Sequence, residues 1–262
     1  MFILLYSCAG ACAGMMAGLL GVGGGLIIVP MLAYIFTKQH VQSEVIQHLA
    51  LGTSLSSIVF TSLSSTLSHH KHNAVEWPIV WRITPGILAG GLIGSWFAAK
   101  LSTQILKGLF VVFLFCVAVQ LLLDIKPKTQ KRPDILGFAS VGAVIGGISS
   151  LVGIGGGTMS VPFMLRCNVT MHNAIGTSAA IGFPIALAGA VGYAINGWTV
   201  ASLPANSTGY INIPALCGVA LASIMTAPLG AQLAHRLPVQ RLKKIFACLL
   251  IVIGCKMAVG LM

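Results

Sequence analysis

Long apolar stretches follow one another along this chain with only short polar breaks between them. They run over residues 2–36, 45–67, 79–100, 104–124, 135–165, 172–196, 210–234 and 239–261. About 20 apolar residues make a helix long enough to cross hydrocarbon, so the pattern predicts membrane helices from end to end. Two of the longest stretches, 2–36 and 135–165, are interrupted. "GLLGVGGGLIIVP" fills 18–30 and "SLVGIGGGTMSVP" fills 150–162, each with four glycines within five residues. A glycine costs roughly 1 kcal/mol relative to alanine inside a helix. The backbone is therefore expected to leave the helix at both places.

The interruptions belong to a larger repetition. Gly21, Gly23, Gly25 and Pro30 recur 132 residues later as Gly153, Gly155, Gly157 and Pro162. "HLALGTS", His48 to Ser54, recurs as "HNAIGTS", His172 to Ser178. Gly86, Gly90, Gly94 and Ala98 correspond to Ala222, Thr226, Gly230 and Ala234, small residues at every fourth position, a spacing that lets helices approach closely in lipid. The polar stretch "DIKPKTQKRPD" at 124–134 is the natural joint. The chain thus divides into a first repeat over 1–124, a linker over 125–134 and a second repeat over 135–262.

Charge decides between two ways of threading these repeats. If each interrupted segment crosses the bilayer, seven of the Lys and Arg residues fall on one side and eight on the other. If each instead enters and returns, eleven (Lys71, Arg82, Lys126, Lys128, Lys131, Arg132, Arg166, Arg236, Arg241, Lys243, Lys244) face four (Lys38, Lys100, Lys107, Lys256). Only the second satisfies the positive-inside rule. The expected fold is therefore an all-α polytopic membrane protein of two homologous, inverted repeats. Each repeat holds a Gly-broken re-entrant helix pair plus three transmembrane helices, a common transporter design. The linker is expected in the cytoplasm and both termini outside. The N-terminus has no basic stretch ahead of its apolar run, so Met1 onward is read as mature chain.

Composition narrows the chemistry. Hydrophobic residues make up 56% and charged residues 7% of the 262, with a net charge of +11, whereas a soluble domain carries about 25% charged residues. The bases lie in short loops, which speaks for membrane orientation and against nucleic acid. The four acids, Glu44, Glu76, Asp124 and Asp134, lie at or beyond the ends of the apolar runs. No carboxylate relay, cation cage or catalytic constellation is therefore expected, and no cofactor or metal. The seven cysteines read as small packing residues, and "SHHKH" at 68–72 as a solvated loop. "GVGGGL" fits neither a dinucleotide fingerprint nor a Walker loop.

What an opened backbone offers is donors. Amides left over at a helix break are not tolerated against lipid and must be buried or line a hydrated space. Successive glycine amides can form a nest for an anion, and a half-helix starting there adds its positive end. The candidate substrate-binding set is accordingly Gly21, Gly23, Gly24, Gly25 and Leu26 with Gly153, Gly155, Gly156, Gly157 and Thr158, facing one another near the midplane. His48 and His172, near helix starts, and the hydroxyls of Thr53, Ser54, Thr177 and Ser178 complete it. Capping and helix–helix hydrogen bonding are the competing roles for these side chains.

Taken together, the doubled "GVGGG…VP" and "GIGGG…VP" with the doubled H-x-x-x-GTS resemble the sulfite exporter TauE/SafE family, also called the 4-toluene sulfonate uptake permease family. The resemblance covers essentially the whole chain. It implies a multi-pass inner-membrane carrier for sulfite or organosulfonates, with the lipid bilayer and a small anion as its partners. Proton coupling and a homodimer are both compatible with the sequence. An anion channel, or a carrier of another small anion, is the rival reading.

Overall fold

The computed structural model describes residues 2–21, 23–123, 134–234 and 239–259. Its helices are α1 (Phe2–Leu20), α2 (Gly25–Lys38), α3 (Ile46–Lys71), α4 (Trp77–Lys100), α5 (Thr103–Leu123), α6 (Ile135–Val152), α7 (Gly157–Arg166), α8 (Met171–Gly197), α9 (Ile213–Ala234) and α10 (Val239–Val259). Of the linker expected over 125–134, residues 125–133 lie outside the described residues. Asp134 starts α6, its carboxylate accepting from the Gly137 amide at 2.8 Å. A two-stranded antiparallel hairpin, β1 (Ser207–Thr208) and β2 (Ile211–Asn212), precedes α9. The apolar pattern gave no sign of it, because the strands are only two residues each.

Among the described residues α1, α5, α6, α8 and α9 are long and apolar enough to span a membrane, and the chain is a polytopic membrane protein. Large apolar side chains on the outside of the bundle, among them Trp81, Ile93, Val112, Leu221 and Val252, are exposed. That is the surface expected against acyl chains. The 26-residue α3 differs: its hydroxyls and histidines lower its hydropathy, yet Ser54, Ser57, Thr61, Ser62, Ser65, Thr66 and Ser68 are all buried. A helix this polar can sit in a membrane only when surrounded by other helices.

Both helix breaks occur where the glycines cluster, and in each case the chain turns back. Gln39, just past α2, donates from Nε2 to the Tyr6 hydroxyl near the start of α1 at 2.9 Å, and the Tyr6 and Phe36 rings lie 6.5 Å apart. Likewise Phe138, near the start of α6, meets Phe163 of α7 with ring centroids 5.8 Å apart. Each short helix thus returns beside the first turns of the long one before it.

Small residues set the tightest interfaces, α1 on α9 and α4 on α6. A methyl group on Gly86, Gly90 or Gly94 would overlap the carbonyls of Ala139, Ala143 and Gly147, and one on Gly10 or Gly18 would overlap those of Val219 and Ala227. Backbones in such direct contact gain dispersion without any long side chain to order, which is how helices associate in lipid. The spacing on α4 and its counterpart on α9 were legible in sequence; Gly10, Gly14 and Gly18 on α1, which face α9, were not singled out. Between these layers α3 packs on α8, while α5 and α10 form a further pair.

Two sequence expectations need correcting. Of the seven cysteines only Cys167 is buried; the other six are exposed, mostly on outward helix faces where apolarity, not packing, admits a thiol. "SHHKH" is no free loop, since Ser68 to Lys71 are the last turn of α3. Its His69 is buried with Nε2 3.0 Å from the Gly18 carbonyl near the end of α1.

Candidate functional site

The first break lies between α1 and α2, the second between α6 and α7. Gly24 and Gly156 take the same position, the residue before each short helix, with φ of 76° and 72°. Gly21, Gly23 and Gly153 are also left-handed, at 67°, 79° and 73°. Only glycine adopts this region without strain, which accounts for three of the four glycines at the first break and two of the four at the second. Val22, inside the first, lies outside the described residues.

The breaks meet in the centre of the bundle. A methyl group on Gly23 would stand 2.8 Å from the Gly155 Cα, and one on Gly25 would lie 2.8 Å from the Ile154 Cα. Gly23, Gly24 and Gly25 are buried, as are Gly153, Gly155, Gly156 and Gly157. Leu26 is fully buried and Thr158 nearly so.

The GTS motifs lock this crossing from both sides. Ser54 on α3 donates to the Gly153 carbonyl at 2.9 Å, and Ser178 on α8 donates to the Gly21 carbonyl at 2.9 Å. Each serine reaches across to the break of the opposite half of the chain. Thr53 accepts the Asn212 amide at 2.9 Å, and Thr177 accepts the Glu76 amide at 2.9 Å. Side chains on the preceding glycines, Gly52 and Gly176, would overlap the carbonyls of Tyr210 and Ala74. Every residue of the motif therefore serves a stretch of backbone. The glycine admits the neighbouring segment, the threonine receives its N–H, and the serine holds a carbonyl of the break.

These contacts sort the break's polar groups. The Gly21 and Gly153 carbonyls, at the negative ends of α1 and α6, are satisfied by serine. At the starts of α2 and α7 the capping glycines have no side chain to accept an amide; their carbonyls take the Ile27 and Ile28 amides and the Met159 and Ser160 amides. Two positive helix ends consequently lie in a buried interior, where partial charges act over a longer range than in water. Beside the second break the buried hydroxyls of Ser149, Ser150 and Thr158 have no hydrogen-bond partner. Such groups are rare in native proteins. Ser149 lies at the break itself, its Oγ 3.1 Å from where a methyl on Gly156 would be.

The two histidines are not brought to this crossing. His48 is buried at the start of α3, with Nε2 3.1 Å from the Ala98 carbonyl and its ring stacked on Tyr210 at 4.9 Å. His172 is exposed at the start of α8. His48 lines a cavity of about 860 Å³ that none of the break glycines touches. Ser149, Ser160 and Asn212 were not singled out in the sequence. Ser160 contacts Ser178 at 2.8 Å, and its place one turn into α7, on the face of the break, was the available signal.

Comparison with known proteins agrees with the motif. A family model described as "Sulfite exporter TauE/SafE" matches residues 6–257. A probable membrane transporter protein of Haemophilus influenzae is 37% identical over 258 residues, covering 98% of this chain and 98% of its own. The probable membrane transporter protein YunE of Bacillus subtilis is 27% identical, covering 95% of this chain and 94% of its own. A probable membrane transporter protein of Methanocaldococcus jannaschii is 27% identical over 94% of this chain and 91% of its own. No solved structure matches the chain.

Proposed function

Because the chain belongs to the sulfite exporter TauE/SafE family, we propose that it is a secondary carrier of small sulfur-containing anions, sulfite or organosulfonates, bound where the two helix breaks cross. It is a membrane transporter and not an enzyme. The observation that carries the site is the reciprocal pair Ser54 to Gly153 and Ser178 to Gly21. By occupying the Gly21 and Gly153 carbonyls, the serines leave the amide ends of α2 and α7 as the uncompensated partial charge at each break, and that charge is positive.

Transport requires the crossing to part. With Gly23 and Gly155 in backbone contact, an oxyanion fits only after one hairpin moves relative to the other. In this reading α1–α2 and α6–α7 are re-entrant hairpins related by an in-plane pseudo-two-fold, and one repeat rocks against the other. Gly21 to Leu26 and Gly153 to Thr158 contact the anion; Thr53, Ser54, Thr177 and Ser178 position the backbones that do. Among the described residues no lysine or arginine reaches into the crossing, so the anion is held by dipoles and hydroxyls alone. Weak binding of that kind favours release on the far side. In this reading both termini lie outside and residues 125–134 in the cytoplasm, the arrangement that the charge distribution favours. Any proton moved with the anion travels on the substrate itself or on His48 and His172, since the acids lie at or beyond the ends of the apolar runs.

Radiolabelled uptake into proteoliposomes, comparing sulfite, sulfate, thiosulfate and sulfoacetate, tests the reading. Saturable flux of at least one of the sulfur anions is the expected result. Unitary currents in planar bilayers would replace the carrier with a channel, and absence of flux for all four would remove the substrate class. A flux that ignores the pH gradient would exclude proton coupling.

A further inference from the structure

His48 stands apart from the crossing, and its surroundings are those of a group that takes up a proton. The ring is 4% exposed and lines the cavity of about 860 Å³. Its Nε2 lies 3.1 Å from the Ala98 carbonyl. A carbonyl only accepts, so Nε2 carries the hydrogen of the neutral ring. Nδ1 is then a bare lone pair, and its neighbour is the Thr103 hydroxyl at 3.4 Å. That hydroxyl has a single hydrogen, already donated to the Glu44 carbonyl. The neutral ring therefore turns one lone pair toward another. The imidazolium donates from both nitrogens, and both partners are free to accept.

The longer-range charges around the ring oppose one another. Burial, the positive end of α3 and the Lys107 and Lys256 ammonium groups in the cavity wall disfavour a cation. The last turn of α4, which supplies the Ala98 carbonyl, and Glu44 in the same wall favour it. So does the face of Tyr210, stacked on the imidazole at 4.9 Å with 26° between the planes. Tyr34 in the α2 wall and Tyr193 behind Tyr210 are the other titratable neighbours, while Lys100 is turned onto the Trp96 ring, 3.4 Å from its centre. The two acceptors on the ring nitrogens act at contact distance, where hydrogen bonds from a charged donor are strongest.

A charge on His48 has a short route to the crossing. Tyr210 sits in the β1–β2 turn, and its carbonyl abuts Gly52. Two residues on, the Asn212 amide is held by Thr53, and the next residue of α3, Ser54, holds the second break.

We propose that His48 is a proton-binding site, filled from the cavity, through which the pH at one face of the membrane acts on the crossing. In the topology proposed above this is the outer face. The role rests on the transport reading and assigns the coupled proton to one histidine of the two; His172, its counterpart, is exposed. The Nδ1 lone pair takes the proton from a hydronium ion in the cavity, leaving water, and Nε2 keeps its own hydrogen.

Nuclear magnetic resonance of the full chain in nanodiscs, with isotope-labelled histidine, reports the ring directly; the His48 signals are those lost in His48→Gln. Passage from a singly to a doubly protonated ring is expected between about pH 5 and 8. Thr103→Val should weaken proton binding roughly tenfold, the loss of one hydrogen bond from a charged donor, and Thr103→Ser should retain it. A ring that stays neutral over that range, or that titrates alike in Thr103→Val and the parent, would overturn the site. In proteoliposomes His48→Gln should abolish the dependence of sulfite flux on the pH gradient, and His172→Gln should keep it; the reverse pattern would overturn the coupling role. A titrating ring with no sulfite flux would leave the proton site standing and remove the transport reading. Flux that ignores pH, with a neutral ring, would remove this site alone.

Discussion

Replacing Ser54 by alanine removes the donor to the Gly153 carbonyl and leaves that oxygen buried at a helix end. Replacing Ser178 does the same to Gly21. In soluble proteins an orphaned buried acceptor costs about 1–3 kcal/mol. Between helices in a membrane the average is nearer 0.6 kcal/mol and the largest about 1.7. Neither site has an obvious substitute: the neighbouring hydroxyl, Thr53 or Thr177, is already engaged with the Asn212 or Glu76 amide. We therefore expect each variant to lose about 1 kcal/mol, roughly a fivefold shift in the unfolding equilibrium. Ser178→Ala should cost somewhat more than Ser54→Ala, because it also takes away the hydroxyl that Ser160 contacts at 2.8 Å. Since both serines hold one crossing, the double variant should depart from additivity by about 0.5 kcal/mol or more, as contacting sites do. Reversible unfolding of the full chain in mixed detergent and SDS micelles measures all three. Two neutral variants, or one costly and one neutral, would refute the reasoning.

Further expectations concern packing, topology and the threonines. Gly90→Ala should destabilise the α4–α6 interface, because the added methyl overlaps the Ala143 carbonyl; Gly108→Ala, where a methyl meets nothing within 4 Å, should be neutral or gain up to about 1 kcal/mol of helix propensity. Thermal melts in detergent distinguish the pair. In a cysteine-free background, Lys38→Cys and Lys256→Cys should react with an impermeant maleimide from one side of the membrane, and Lys71→Cys and Arg166→Cys from the other. All four labelling from one side would end the hairpin topology. Thr177→Val removes the acceptor of the Glu76 amide and should cost about 1 kcal/mol or more, while Thr177→Ser retains most of it; equal melts for the two would show that the bond is immaterial.

The membrane class, the helix order and both breaks were readable from the sequence because hydropathy and glycine clusters act locally. A four-glycine run in hydrocarbon has few outcomes, and positive φ at Gly24 and Gly156 is one that glycine alone tolerates. The partners of the repeated motif were not readable. Thr53 and Ser54 bond to residues 159 and 99 positions away, and no spacing rule encodes which carbonyl a buried hydroxyl finds. The same holds for His69, whose run of polar neighbours suggested solvent until α1 proved to lie beside it. The wall of the cavity beside His48 is assembled from helices far apart in sequence, α2, α3, α5 and α10 among them, so no local pattern marked it.

The most direct measurement is radiolabelled sulfite flux through proteoliposomes holding Gly23→Leu or Gly155→Leu, with insertion verified by gel filtration of the re-extracted protein. A leucine at either position fills the meeting point of the breaks, and flux at the level of empty liposomes is expected from both. Flux within about twofold of the parent, well under the roughly tenfold that about 1.4 kcal/mol of barrier would bring, would place the anion's path elsewhere.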